Sequence, residues 1–415
     1  MDTAQIQKND GELFDLLRQE EFRQENTLDM VASESIQDAI SLALSGSAFC
    51  CKTAVGTPGK QRLLGSDIAD KLEVLAAQRA CEVFGAEHAN MLPYSGTTAN
   101  LCVYDGLLQP GDTIVAIDPE HGSHASHGRK EHVSAKLYHF VHVGVDPCTQ
   151  LLNYETLAEC VRLHRPKLIV IGVSSYPRQI DYEKIKKIAH DNDAVFMVDM
   201  AHITGLVAAG VLPNPMEHAD IVTGSGTKTM CSCHTGFILC RKPFAEAVDR
   251  GVYPGVLASM HLQSIAAVTW ALKRSQTPKF VAMMHQTVAN AKALCIALQE
   301  RGFGILTGGT DCHMFVLDLR PTGVGANIFA QRLEKIGISV NTKRIPYDPA
   351  PTTNGIRAGC TVLTQRGMQE TQMQDIADIF MSALTNNPIL LEQSRQKIAA
   401  LCNAFPPLII KDILQ

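Results

Sequence analysis

Short runs of consecutive apolar residues, separated by segments of helical periodicity, dominate the middle of the chain. Four of these runs are rich in β-branched residues: 112–117, 167–172, 194–199 and 219–224. Apolar side chains at nearly every position, rather than at every second one, are typical of strands that are buried on both faces. The pattern therefore predicts an α/β protein with a mainly parallel sheet that is covered by helices.

The pattern changes near residue 280. A helix predicted over 280–302 is followed by a strand at 314–318, a further helix and a short strand at 337–340. Because a chain of 415 residues is too long for one compact core, we expect two domains. The predicted divisions are an N-terminal arm at 1–52, a large domain at 53–276 and a smaller α+β domain at 277–415.

Composition narrows the class of protein. With 46% hydrophobic residues, 19% charged residues and a net charge of -5, the chain gives no reason to expect nucleic acid or an anionic membrane as a partner. No apolar run approaches the roughly 20 residues of a membrane-spanning helix, and residues 1–10 lack the apolar stretch of a secretory signal. The 13 cysteines are scattered without a Cys-x-x-Cys pair, so we expect reduced thiols and a cytoplasmic protein.

The first candidate for chemistry is Lys228, on a loop of small residues at 223–229. It follows Asp199, which ends the apolar run at 194–199. Pyridoxal phosphate needs such a pair, because a lysine forms its Schiff base and an acid keeps its pyridine nitrogen protonated. The pair alone is weak evidence, since many strands end in aspartate and many loops carry lysine.

Three further features have both a functional and an ordinary interpretation. The segment 94–100 places hydroxyls and a glycine before a helix, which suits a phosphate but also a simple N-cap. His121, His124 and His127 recur at a spacing of three, but no carboxylate completes a metal site, so we expect no metal and one imidazole stacked on a flat cofactor. Arg357 could bind a substrate carboxylate or form a surface ion pair.

Taken together, these residues resemble the serine hydroxymethyltransferase family over nearly the whole chain. The segments that carry the resemblance are 31–34, 84–90, 95–100, 121–124, 198–202, 205–210, 227–229 and 355–359. The resemblance implies a fold-type-I, aspartate aminotransferase-like structure. Its large domain is built on a mainly parallel seven-stranded sheet, and a smaller α+β domain follows.

The resemblance also implies a role for each matching residue. Those implied for cofactor binding are Ser95, Gly96, Thr97, His124, Ser174, Asp199, His202 and Lys228. Those implied for catalysis are Lys228, Asp199, His124 and Thr227, the last in a position where the family has histidine. Arg357, helped by Ser33, is implied to bind the carboxylate of the amino acid.

Other positions depart from the family. Its tyrosine, its glutamate and its pair of tyrosines near residue 60 are replaced by Thr53, Val55, Arg62 and Leu63. In the family that glutamate handles protons and contacts folate, and valine can do neither. The glycine-rich loop becomes 254–260, the asparagine that holds the pterin becomes Lys343, and the segment after the arginine loop becomes 360–362.

The residues implied to bind the cofactor therefore match the family, while those implied to serve folate differ from it. We expect an enzyme of threonine aldolase or transaldolase type that makes or breaks a Cα–Cβ bond through a glycyl carbanion without tetrahydrofolate. Arg62 and Lys343 hint at an anionic aldehyde. Three alternatives stay open: a folate-dependent hydroxymethyltransferase that uses another acid such as Glu34; decarboxylation, racemisation or β-replacement; and a silent cofactor-binding homologue. We expect a homodimer at least, with the arm around its neighbour and a tetramer as a further option.

Overall fold

The computed structural model describes residues 3–349 and 351–407. Its helices are α1 (Thr3–Asn9), α2 (Gly11–Asn26), α3 (Ala39–Ser45), α4 (Asp67–Phe84), α5 (Gly96–Leu107), α6 (Val133–Leu137), α7 (Tyr154–His164), α8 (Tyr182–His190), α9 (Thr204–Ala208), α10 (Ala245–Arg250), α11 (Leu262–Ser275), α12 (Pro278–Glu300), α13 (Ala326–Ile336), α14 (Thr361–Gln365), α15 (Glu370–Thr385) and α16 (Pro388–Ala404). Among them, no helix has the length and apolar character needed to cross a membrane.

The strands form three sheets. They are β1 (Leu28–Asp29), β2 (His88–Asn90), β3 (Thr113–Ile117), β4 (His139–Val143), β5 (Leu168–Gly172), β6 (Val195–Asp199), β7 (Ile221–Ser225), β8 (Gly236–Cys240), β9 (Gly304–Ile305), β10 (Met314–Asp318), β11 (Ile338–Ser339), β12 (Asn341–Lys343) and β13 (Gly355–Gly359). The largest sheet has seven strands in the order β2-β8-β7-β6-β5-β3-β4, and only β8 runs antiparallel to its neighbours. The predicted fold class is confirmed.

The C-terminal region is built on a four-stranded antiparallel sheet of order β12-β13-β10-β9, with α12 and α13 packed against it. Near the N-terminus, β1 pairs in parallel with β11, so Leu28 lies opposite Ile338. Helices α1 and α2 are separate, because the side chain of Asp10 caps the start of α2.

Two large hydrophobic cores divide the apolar residues. One lies around the seven-stranded sheet, and the other lies under the four-stranded sheet and includes Leu28 and Met30. The long helix α12 contributes Phe280 to the first core and Leu294 to the second. The divisions at 52 and 276 stay predictions, and residues 1–2 and 408–415 of the outer segments lie outside the described residues.

Strand register decides where the candidate residues meet. Gly172 at the end of β5 lies beside Asp199 at the end of β6, and Asp199 lies beside Thr223 on β7. Since neighbouring parallel strands end at the same edge of a sheet, the loops that follow them converge there. This carboxyl edge is where the candidate site lies.

Candidate active site

Asp199 ends β6, and its carboxylate accepts three hydrogen bonds within the protein. Oδ2 accepts from Nδ2 of Asn100 at 2.8 Å and from Nε2 of His127 at 3.2 Å, and Oδ1 accepts from the N–H of Ala201 at 2.9 Å. Burial opposes ionisation, but the hydrogen bond from His127 and the positive charge of Lys228 help to hold the pKa of Asp199 well below its ordinary value. The side chain is therefore an anion, and Oδ1 has room to accept one more hydrogen bond.

His127 connects this carboxylate to Tyr104. Its Nδ1 lies 2.7 Å from the Tyr104 hydroxyl, while Nε2 faces Asp199. Because an ionised carboxylate can only accept, we assign the proton of the ring to Nε2, and Nδ1 accepts from the hydroxyl. Gly172 permits this close approach, since a Cβ at that position would lie 2.5 Å from Nε2 of His127. His127 thus orients the carboxylate from a fully buried position.

Asn100 extends the same network towards His124. Its Oδ1 accepts from Oγ1 of Thr223 at 2.7 Å, and its Nδ2 donates to Oγ of Ser126 at 2.9 Å. Both the N–H and the hydroxyl of Ser126 then point at Nδ1 of His124, at 3.2 Å and 2.8 Å. Nδ1 of His124 is therefore an acceptor, and its neutral ring carries its proton on Nε2. We call the following residues the interior cluster: Asn100, Tyr104, Ser126, His127, Asp199 and Thr223.

The three histidines at 121, 124 and 127 have separate hydrogen-bond partners. Nδ1 of His121 accepts from the N–H of Val145 at 3.1 Å, so the three histidines of this segment have separate partners. Within the part of the chain that the structure describes, no group of three or more histidine, cysteine or acidic residues could hold a metal ion.

Burial lowers the pKa of His124 to about 4, although the charge of Asp199 opposes the shift. At neutral pH its ring is uncharged.

Lys228 begins the turn that follows β7, in a left-handed backbone conformation with φ of +52°. The next residue, Thr229, anchors the turn, because its hydroxyl donates to the carbonyl of His202 at 2.9 Å and accepts from the N–H of Gly205 at 3.0 Å. A Cβ at position 205 would lie 2.0 Å from the carbonyl oxygen of Thr229. Glycine is therefore required for the lysine turn to pack this closely on α9.

The ammonium of Lys228 lies in a desolvated environment. Burial lowers the pKa of Lys228, the charge of Asp199 opposes this shift, and the charge of Arg357 adds to it. Among the residues that the structure describes, Nζ has no hydrogen-bond or ion-pair partner. A lysine with a lowered pKa is more easily deprotonated, and the neutral amine is the form that attacks a carbonyl carbon.

Arg357 reaches from β13 to the carboxyl edge of the large sheet. Nη1 donates to the carbonyl of Ser174 at 2.6 Å and to its Oγ at 3.1 Å, and Nε donates to Oδ1 of Asn341 at 2.9 Å. Burial lowers the pKa of Arg357 to about 10. In the described residues no carboxylate lies within ion-pair distance of this guanidinium. A largely buried cation without an acidic partner is suited to a bound anion.

His202 lies beside this guanidinium. Its Nε2 is 3.4 Å from Nη1 of Arg357, which can only donate, so the proton of the neutral ring belongs on Nδ1. Nδ1 is buried and has no hydrogen-bond partner in the described structure. Burial and the charges of Lys228 and Arg357 hold the pKa of His202 well below its ordinary value. An unpartnered buried donor is costly, and a bound acceptor would satisfy it.

Ser95 caps helix α5 by accepting the N–H of Thr98 on Oγ at 3.1 Å. Gly96 and Thr97 follow at the start of this helix, where backbone N–H groups have no partner within the helix. Gly96 also faces Ala201, since a Cβ at position 96 would lie 3.3 Å from Cβ of Ala201. The turn thus places an anion-binding helix start next to the strand that carries Asp199.

Thr227 makes a contact that the sequence did not suggest, while Ser33 makes no hydrogen bond to Arg357 in the described residues. The hydroxyl of Thr227 lies 2.9 Å from Oγ of Ser225, so it stabilises the lysine turn. Ser33 follows Ala32, which packs against Gly359 at the end of β13. No hydrogen bond joins Ser33 to Arg357 in the described residues, so its help in binding a carboxylate stays a prediction.

Two of the segments that depart from the family lie together outside the interior cluster. We call residues 53–63 and 253–261 the outer patch. Its two segments meet where the N–H of Met260 donates to the carbonyl of Ala54 at 3.4 Å, and where the Arg62 guanidinium lies 5.8 Å from the ring centre of Tyr253. Tyr94 joins the patch to the Ser95 turn, since its hydroxyl donates to the carbonyl of Ser259 and its ring stacks on that of His261 with centres 4.1 Å apart.

These groups suit pyridoxal phosphate. The cofactor needs an anion beside its pyridine nitrogen, an amine, a phosphate site and a hydrogen-bond partner for its phenolic oxygen. The carboxyl edge offers the ionised Asp199, the desolvated Lys228, the helix start at Ser95 and the unpartnered Nδ1 of His202. When bound, the cofactor would supply an electron sink for bond cleavage at Cα of an amino acid.

Of the interior cluster, sequence reasoning assigned a functional role only to Asp199. Asn100 and Tyr104 are four residues apart in the otherwise apolar helix α5, so they share one helix face, and this spacing was a readable signal. His127 was considered only as a metal ligand. The spacing of the three histidines is typical of a metal site. The actual partners of His127 lie 23 and 72 residues away along the chain, so spacing alone does not reveal them.

Comparison with known proteins agrees with this geometry. A family model described as serine hydroxymethyltransferase matches residues 6–380 of the 415-residue chain. The match covers the interior cluster, the lysine turn, the Arg357 strand and the outer patch.

Proposed function

The chain therefore belongs to the serine hydroxymethyltransferase family, whose members are pyridoxal phosphate-dependent enzymes of amino-acid metabolism, and we propose that it cleaves or forms the Cα–Cβ bond of β-hydroxy amino acids without tetrahydrofolate. The reaction would be of threonine aldolase or transaldolase type. The observation that carries the proposal is the contrast between an interior cluster with connected hydrogen bonds and an outer patch without the acid at position 55.

The proposed binding role of Arg357 follows from its position and charge. Its guanidinium would hold the α-carboxylate, while Ser174 and Asn341 keep the fork in place. Fixing the carboxylate fixes the rotation about the bonds to Cα, and so selects which bond is aligned for cleavage. Asp199 would hold a proton at the pyridine nitrogen, and Lys228 would exchange its amine with that of the substrate.

In the cleavage direction a proton must leave the β-hydroxyl. The Cα–Cβ bond then breaks, its electron pair passes to Cα, the β-carbon becomes an aldehyde, and Cα takes up a proton to give glycine. His124 presents an N–H from Nε2, because its Nδ1 already accepts from Ser126. It can therefore donate to the substrate oxygen but is poorly placed to accept a proton. Water is the acceptor of this proton that we favour.

Glu34 is an unsuitable replacement for the missing acid. The neighbouring carboxyl group of Asp29, together with partial burial, raises the pKa of Glu34 to about 8. At neutral pH that pair therefore retains a proton. This contact supports the folate-independent proposal over one in which Glu34 serves as the family's acid.

The assembly that we propose is a homodimer at least. Leu13, Leu16 and Phe22 on α2 are 55%, 62% and 66% exposed, so this helix presents apolar side chains to its surroundings. A second copy of the chain would cover them. Light scattering of the purified holoprotein tests this assembly, and a monomer at micromolar concentration would contradict it.

The activity is tested by incubating the holoprotein with L-threonine and following glycine and acetaldehyde. We expect both products in equal amounts with no folate present, and none with Lys228→Ala. Release of ammonia, carbon dioxide or the D-amino acid in place of aldehyde would show another reaction at Cα. A protein that binds the cofactor and converts none of these substrates would contradict the proposal.

A further inference from the structure

We propose that Lys343 binds a carboxylate or phosphate on the aldehyde that this enzyme releases or accepts, so that its preferred substrates are β-hydroxy amino acids with a second anionic group. This inference rests on the proposed function, because it names the class of aldehyde that would be used at the same site. The observations that carry it are the strand register around Arg357, the contacts of the Lys343 ammonium and a narrow cavity beside them.

The register places Lys343 next to Arg357 on one face of the small sheet. β12 and β13 are antiparallel, with Asn341 opposite Arg357 and Lys343 opposite Gly355. Residues two apart on a strand share a face, so Lys343, Asn341 and Arg357 point to the same side. The hydrogen bond from Nε of Arg357 to Asn341 is in agreement with this shared face. Diagonal neighbours of this kind are about 7–8 Å apart along the sheet, so Lys343 and Arg357 start from neighbouring positions on the same face.

The ammonium of Lys343 has no acidic partner. Nζ donates to the carbonyl of Pro119 at 2.8 Å, and no carboxylate of the described residues lies within 4.0 Å of it. The nearby carboxylate of Glu120 instead faces Arg344 at 3.5 Å. A second anion would therefore meet an ammonium that has spare donors and no competing ion pair.

The burial of Lys343 and the charges around it also favour a bound anion. Burial lowers the pKa of Lys343 to about 8, the charge of Glu120 opposes this shift, and the charge of Arg357 adds to it. Two cations that repel each other on one sheet face are each stabilised when anions occupy the space between or beside them. A dianionic substrate would supply one anionic group to each.

A narrow cavity lies beside Lys343. Its lining includes Lys343, Gly122 and Ser175 together with the Glu120–Arg344 ion pair, and Arg357 is not part of it. The carbonyl of Gly122 accepts the N–H groups of Ser174 and Ser175 at 2.8 Å and 3.0 Å, and Ser174 is the residue that holds Arg357. The space beside the Lys343 ammonium is thus bounded by the same loop that supports the proposed carboxylate site.

The test compares charged and neutral aldehydes in the reaction with glycine. The holoprotein is assayed with succinic semialdehyde and glycolaldehyde phosphate, and with butanal and glycolaldehyde as their uncharged counterparts. Lys343→Met removes the charge and keeps most of the apolar stem, while Lys335→Met on the exposed face of α13 is the matched control. The two anionic aldehydes distinguish a carboxylate from a phosphate preference.

We expect Lys343→Met to lower kcat/KM for at least one anionic aldehyde by about 10- to 100-fold, as for loss of a hydrogen bond to a charged group. The neutral aldehydes should change little, and Lys335→Met should change neither class. An equal loss for charged and neutral aldehydes would overturn the inference, since it would show a structural role for Lys343. A wild-type preference for neutral aldehydes would overturn it as well.

A binding measurement separates this inference from the proposed function. If no aldehyde reacts, the proposed function fails, and calorimetry with succinate and inorganic phosphate still tests the anion site in the cofactor-loaded protein. Weaker binding by Lys343→Met than by Lys335→Met would then support the site. Equal binding by both variants, or none to the wild type, would overturn it.

Discussion

The interior cluster and the outer patch are adjacent but are held together in different ways. In the interior cluster, side chains bond to side chains, so Asn100 contacts Asp199, Ser126 and Thr223 through its two amide atoms. In the outer patch, contacts often use backbone atoms, such as the hydrogen bonds between Met260 and Ala54 and between Arg62 and Val55. Backbone contacts survive a change of side chain. This difference explains how side chains of the outer patch could change while those of the interior cluster stayed the same.

The largest effect should come from Lys228→Ala. Loss of the amine that we place at the centre of the reaction should lower threonine cleavage by at least about 10³-fold, within the range for removal of a proton-transfer group. The fold should persist, because the turn is anchored through Thr229 rather than through Lys228. Cofactor absorbance and aldehyde release check both points, with the exposed Lys273→Ala as control. Comparable activity of Lys228→Ala and Lys273→Ala would contradict the central role that we give to Lys228.

The next largest effect is expected at Arg357. Lysine keeps the charge but loses the planar fork, so Arg357→Lys should raise KM for the amino acid by about 10- to 100-fold. Cofactor affinity should change much less, because the guanidinium faces Ser174 and Asn341. Steady-state kinetics and cofactor titration measure the two quantities, with Arg320→Lys as control. A larger loss of cofactor affinity than of substrate affinity would place Arg357 elsewhere in the site.

Tyr104→Phe tests whether the hydrogen bond to His127 stabilises the interior cluster. The change leaves Nδ1 of His127 without its buried donor and should reduce the free energy of unfolding by about 1–3 kcal/mol. Tyr138 packs edge-to-face on Tyr104 with ring centres 5.8 Å apart, and Tyr138→Phe keeps that ring contact. Urea unfolding of both variants should therefore show the larger loss for Tyr104→Phe. Equal losses would mean that the Tyr104 hydroxyl contributes no more to stability than the Tyr138 hydroxyl, and would contradict a stabilising hydrogen bond to His127.

The smallest effect concerns Glu73, which holds the outer patch to α4 through the amide of Gln61 at 3.1 Å. Burial and the charge of Asp70 raise the pKa of Glu73 from 4.5 to about 8. The folded state therefore binds a proton that the unfolded state releases, so this side chain makes stability fall as the pH rises from about 5 to about 8. Glu73→Gln should reduce that fall, as measured by urea unfolding across this window. The exposed Glu300→Gln should behave like the wild type, and the same slope in both variants would contradict the assignment.

Much of the fold could be predicted from local pattern. The buried strands β3, β5, β6 and β7 are continuous apolar runs, and their ends at Gly172 and Asp199 already located the carboxyl edge. The antiparallel strand β8 was not predicted, because a buried strand looks the same in either direction. Its direction is set by pairing with β7 and β2.

The candidate site was predictable where single residues carry the chemistry. Lys228, Asp199 and Arg357 each stand out in the sequence, and the structure brings all three to one edge. The links between them were not predictable, because His127 and Tyr104 act through partners far away along the chain. Hydrogen-bond direction, which assigns the proton of His124 to Nε2, needs the positions of neighbours that only the fold supplies.

The most direct test of the central claim is the response of the wild-type holoprotein to tetrahydrofolate. L-serine and L-threonine are each supplied with and without it, while glycine and aldehyde are followed. The account predicts that threonine is cleaved at the same rate in both conditions and that serine conversion gains nothing from folate. Serine turnover that appears only when tetrahydrofolate is present would contradict it, because the outer patch would then still serve the chemistry that Val55 is inferred to have lost.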